Sequence, residues 1–84
     1  MVHDLLPRET MMQRGTAVPA NEELRMLYRQ AFAEHGARAL WSSRPVAVPS
    51  LADVLAITES LRVEGNLAAR RLAEQIERTC RAAI

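Results

Sequence analysis

The chain has 84 residues, a single cysteine, and eleven basic residues against ten acidic ones, for a net charge of +1. That length makes one domain, and one so small buries only about 60 to 65% of its unfolded surface, so its core must be thin. Balanced, interspersed charge is unlike a polyanion binder or a disordered acidic chain, Cys80 alone excludes an intrachain disulfide or multi-cysteine metal site, and no segment approaches the roughly 20 apolar residues of a membrane span.

In chain order, the first twenty residues are the least legible. Leu5, Leu6, Met11 and Met12 fit a short helix that begins near Pro7 and is stopped by Gly15, but no strong cap marks it. Residues 1–20 are therefore read as an arm, held by its own domain, by a second copy or by another chain. MVHDLLPRET carries neither a basic leader nor an apolar run of signal length, so the expectation is a cytoplasmic protein.

The segment NEELRMLYRQAFAEHG, residues 21–36, places Leu24, Leu27, Tyr28, Ala31, Phe32 and His35 on one helical face. Asn21 supplies an N-cap, Glu22 and Glu23 suit the positive end of the helix dipole, and Gly36 is expected in the left-handed position after the last turn. Beyond it, ALWSSRPVAVPS, residues 39–50, holds the only Trp. Arg44-Pro45 and Val48-Pro49 force extended backbone, and Val46-Ala47-Val48 is too short and too proline-bound for a strand inside a sheet.

A helix follows over SLADVLAITESLRVEG, residues 50–65, with Ser50 and Asp53 forming a short-armed capping box and Gly65 ending it. Its buried face is Leu51, Val54, Leu55, Thr58 and Leu61, with Ile57 at the margin. The final helix, NLAARRLAEQIERTCRAAI, starts from an Asn66 cap and carries Ala69, Leu72, Ala73, Ile76, Cys80 and Ala83 on one stripe, whose small residues allow close helix approach. Gly65-Asn66 leaves almost no loop, so the last two helices form a tight αα-hairpin or corner. The fold class is thus all-α: three main helices within residues 21–84, a possible short fourth before them, and a core of Leu24, Leu27, Tyr28, Phe32, Leu55, Leu61, Leu72 and Ile76.

Known chemistries find little support in the pattern. If Gly65 is set at the turn glycine of a helix-turn-helix, the positions requiring burial fall on Glu64, Asn66, Arg71 and Glu74, so only the outline is shared. His3 and His35 have no metal-binding spacing, Ser42 and Ser43 lack a nucleophile elbow, and Cys80 lies late on a buried stripe where no helix dipole activates it. The glycines are dispersed and form no phosphate loop, so neither cofactor nor metal is expected. An enzyme would need His35, Ser42, Glu59 and Glu64 assembled from scattered positions.

Two binding readings remain. The leading one is a small non-enzymatic interaction or regulatory module, a subunit, adaptor or inhibitor, with a protein partner or a second copy of itself. Its candidate interface is Met11, Met12, Leu40, Trp41, Val46 and Val48, apolar residues of the arm and of the proline-marked connection. The alternative is a nucleic-acid-binding helical module using Arg62, Arg70, Arg71, Arg78 and Arg81. Glu74 and Glu77 stand among those arginines at i, i+4 spacing and cancel much of the field that a phosphate backbone would feel. That every basic residue is Arg reads as composition bias beside abundant Ala rather than as guanidinium recognition.

Overall fold

The computed structural model describes residues 7–41 and 43–83, so Leu5, Leu6, His3 and Ser42 lie outside the described residues. Four helices follow one another: α1 (Arg8–Gly15), α2 (Glu22–His35), α3 (Leu51–Glu64) and α4 (Leu67–Ala83). The domain is all-α; the short helix expected at the N-terminus is present, and no strand longer than a single bridge occurs among the described residues.

The caps are made by the residues that the sequence marks for them. Asn21 Oδ1 accepts the Leu24 N–H at 2.8 Å, Asn66 Oδ1 accepts the Ala69 N–H at 3.0 Å, and Ser50 and Asp53 exchange both bonds of a capping box. Each satisfies backbone donors that a helix start leaves orphaned. Gly36 departs from expectation. Its φ and ψ are −61° and −43°, right-handed, because its N–H bonds the Phe32 carbonyl at 3.1 Å and the chain goes on turning until Ala39 and Leu40 bond the His35 carbonyl. Extending the coil by those turns brings Ala39 and Leu40 into the core at 2% and 1% exposure.

Helix α3 is the axis of the packing. It is buried at Leu51, Ala52, Val54, Leu55, Ile57, Thr58 and Leu61, more of its circumference than one face, because α1, α2 and α4 all pack against it. Ile57 therefore belongs to the core rather than its margin. Thr58 is tolerated there since its hydroxyl donates to the Leu55 carbonyl at 2.7 Å and accepts from the Arg8 guanidinium at 2.8 Å. The closest helix pair is α3 and α4, separated only by Gly65 and Asn66 and sealed by Leu61, Ala69, Leu72, Ala73, Ile76 and Cys80. Of the expected core, only Phe32 stays half-buried, set edge-on to Tyr28 with ring centroids 5.1 Å apart.

From Pro7 onward the arm is held by its own chain. Met11 is 1% exposed in the core, and Gly15 meets the start of α3 so closely that a Cβ there would lie 2.7 Å from Leu51 Cδ2 and 2.8 Å from Ala52 N. Just beyond, Ala20 N–H bonds the Pro49 carbonyl at 3.1 Å and Leu51 N–H the Val18 carbonyl at 2.7 Å, tying the approach to α2 to the approach to α3. Both prolines of that crossing, Pro19 and Pro49, lack an N–H, so the bonds are made by their neighbours.

Candidate functional site

The connection between α2 and α3 is a ledge fastened at several points. At its start Ser43 N–H bonds the Leu40 carbonyl at 3.0 Å, closing a turn over Trp41. In its middle the buried Tyr28 hydroxyl accepts the Val46 N–H at 3.0 Å; at its end Pro49 is held by the crossing with Ala20. An extended, proline-bracketed chain makes few backbone bonds of its own; α2 supplies one at Val46 and residue 20 one at Pro49.

That fastening leaves large apolar side chains in water. Trp41 is 69% exposed, Val48 76% and Val46 46%, whereas Leu40, next to Trp41, is 1% exposed. The structure separates the six residues that the sequence offers as an interface. Met11 and Leu40 are core residues, Met12 is half-buried against the core, and Trp41, Val46 and Val48 stand out on the ledge. The reason for the separation is helical periodicity in α1 and the extra turns after α2, which direct Met11 and Leu40 inward. Scattered single apolar residues on a surface are ordinary; here three fall within eight residues of one connection.

Under the ledge lies a groove of about 300 Å³ lined by Arg25, Tyr28, Arg29 and Phe32 of α2 and by Pro45, Val46, Ala47 and Pro49. Tyr28 and Phe32 form its aromatic wall, and the Tyr28 hydroxyl is already committed to Val46. Arg25 and Arg29, four residues apart and both exposed, border it; neither has a carboxylate within ion-pair distance among the described residues. Sequence reasoning passed these two over. The available signal was an Arg-Arg pair at i, i+4 flanking Tyr28 and preceding Phe32, a like-charge spacing that a helix does not favour for its own sake.

The arginines proposed for nucleic acid are dispersed and partly engaged. Arg62 grips Glu77 bidentately through one guanidinium edge, Nη2 to Oε1 at 2.6 Å and Nε to Oε2 at 3.1 Å, a bridge from α3 to α4. The Arg62 pKa is raised, chiefly by that hydrogen bonding against a desolvation that lowers it. For Glu77, burial pushes the carboxyl upward, but the bonds and charge of Arg62, with Arg81 and Arg8 nearby, outweigh it and hold the group below its ordinary value. Arg70 Nε donates to the Arg62 carbonyl at 3.3 Å, while Arg71 borders a different groove, between α2 and α4, beside Glu34. Arg78 is exposed, and the buried Nε of Arg81 has no hydrogen-bond partner among the described residues. Glu64, Asn66, Arg71 and Glu74, which a helix-turn-helix would bury, are all exposed.

For bond-making chemistry the inventory is short. Cys80 is fully buried, and desolvation pushes its thiol up to about 12, so it is protonated at neutral pH. His35 Nε2 lies 3.8 Å from Glu34 Oε1 at the end of α2, whereas Glu64 closes α3 and Glu59 is exposed beside Arg62. Among the described residues no three His, Cys, Asp or Glu side chains gather as metal ligands would, and no helix is long and apolar enough to cross a membrane. No family model matches the chain, and neither do any curated protein or solved structure.

Proposed function

We propose that the protein is a small non-enzymatic interaction module of the cytoplasm, a subunit, adaptor or inhibitor that presents the α2–α3 connection to a protein partner or to a second copy of itself. The observation that carries this reading is the exposure of Trp41, Val46 and Val48 on a backbone fastened by Tyr28, Leu40 and Ala20. A ledge already ordered in the free chain loses little conformational freedom on binding, so its apolar area goes further toward affinity. Tryptophan in particular concentrates binding energy at interface centres.

The test is isolation of the full chain with its bound proteins from its own cells, run beside Trp41→Ala/Val48→Asp, with light scattering of each purified protein. The reading expects a stoichiometric protein, or a second copy, retained by the native chain and lost by the variant while the helical circular dichroism is unchanged. A native chain that is monomeric and retains nothing, or a complex indifferent to both substitutions, overturns it.

A further inference from the structure

The groove beneath the ledge carries a more specific partner chemistry. We infer that it receives an extended acidic peptide segment of another protein, one that sets an apolar side chain against Phe32, Pro45 and Val46 and its carboxylates on Arg25 and Arg29. This rests on the docking-surface reading above and says which part of the surface selects the partner.

The charge decides the occupant. Arg25 and Arg29 stand about 6 Å apart along α2, four residues at helical rise. They repel each other mildly, and no carboxylate of the described residues forms an ion pair with either. An extended chain returns to the same side every second residue, about 6.6 to 6.8 Å on, so two carboxylates at that spacing meet both guanidinium groups. Between the arginines and the ledge, the walls are apolar: Tyr28, Phe32, Pro45, Val46, Ala47 and Pro49. A nucleic acid fits this less well. The Tyr28 ring is buried at 4% exposure with its hydroxyl engaged, so it offers no open face on which a base could stack.

The test selects binders for the full chain from a displayed library of random dodecapeptides, then measures the enriched peptide by fluorescence anisotropy. The targets are the native chain, Arg25→Glu/Arg29→Glu, and Trp41→Ala/Val48→Asp. Both arginines are exposed on a stable helix, and circular dichroism checks that each variant stays folded. Expected are sequences with Asp or Glu two apart beside one bulky apolar residue, binding that weakens with salt, and a loss of about tenfold or more on charge reversal. Failure to enrich any peptide, enrichment without acidic residues, or affinity unchanged by charge reversal overturns the inference.

Two further arms name the other occupants. A single-stranded oligonucleotide that binds with the same arginine dependence, or self-association seen by sedimentation equilibrium and abolished by Arg25→Glu/Arg29→Glu, also overturns it. The docking reading fails separately. If peptides are not selected but the native complex still depends on Trp41 and Val48, the ledge survives and only the groove's assigned occupant falls.

Discussion

Along α4 each of Arg70, Arg71, Arg78 and Arg81 has a glutamate three or four residues away, and Arg62 reaches across from α3 to clasp Glu77. On α2, Arg29 has no carboxylate at either spacing, and Arg25 has only Glu22, in the turn where acidic charge already answers the helix dipole. The two faces hold the same residue type in opposite company. One commits Arg62 and Arg70 to bonds between α3 and α4 and sets the rest among glutamates; the other leaves Arg25 and Arg29 beside an apolar groove under the α2–α3 ledge. Counting arginines points to α4, whereas asking which arginines border an apolar groove points to α2.

The strongest way to break that division is to show that the α3–α4 side is not the structural one. Leu61 is fully buried where α3 meets α4, so Leu61→Ala should cost about 2 to 5 kcal/mol by lost transfer energy and cavity formation. Urea unfolding followed by circular dichroism measures it. A loss below about 1 kcal/mol, the range of ordinary surface changes, would move the core away from this helix pair.

Next in size is Gly15→Ala. A Cβ there would lie 2.7 Å from Leu51 Cδ2 and 2.8 Å from Ala52 N, and backbone cannot yield as a side-chain tip can. Overpacking of that kind costs about 1 to 3 kcal/mol, partly offset by the better helix propensity of Ala. The same unfolding measurement reads it. Stabilisation instead of loss would show that α1 does not pack tightly on α3.

How far these features were legible depends on the distance over which each is decided. The caps at Asn21, Ser50 and Asn66 are local, settled within three residues, and the sequence displays them directly. The apolar stripes of α2 and α4 are nearly as local. Gly36 was misread because its conformation is set by whether the chain keeps turning to bury Ala39 and Leu40, a tertiary gain that no cap rule contains. The sequence could not divide Met11 and Leu40 from Trp41 and Val48 either, since all are apolar and only the packing of α1 and the turns after α2 sends some of them inward. The groove was least visible of all, because its walls come from α2 and from residues 45–49, joined by the long-range bond from Val46 N–H to Tyr28.

The Arg62–Glu77 bridge tests the electrostatic half of the comparison with a smaller effect. The Glu77 carboxyl is held below its ordinary 4.5 in the folded protein, so its contribution is fully present above that value and is lost as pH falls through the lower, folded one. Glu77→Gln should therefore be less stable than the native chain at pH 7, and the gap should close on acidification below about 4.5, the ordinary carboxyl range. Because Arg62 is well exposed, the gap at neutral pH should be no more than about 1 kcal/mol. Thermal melts of both proteins across pH 3 to 7, the span that brackets an ordinary carboxyl, decide it. A gap that widens on acidification would mean that burial, not Arg62, governs Glu77.

The smallest stability effect is expected from the largest side chain. Trp41 is 69% exposed, and its backbone is fixed by the bond between Ser43 N–H and the Leu40 carbonyl, which does not involve the indole. Trp41→Ala should change folding stability by no more than about 0.5 kcal/mol, as surface substitutions do. Emission from the native chain, whose only Trp this is, should likewise sit at the long-wavelength position of a hydrated indole and move little on unfolding. A side chain so costly to expose yet so irrelevant to the fold has its use elsewhere, and the same substitution should abolish or strongly weaken partner binding. A loss of several kcal/mol in folding, or blue-shifted emission from the free monomer, would return Trp41 to the core, and the ledge would become a strap over it rather than a surface for another protein.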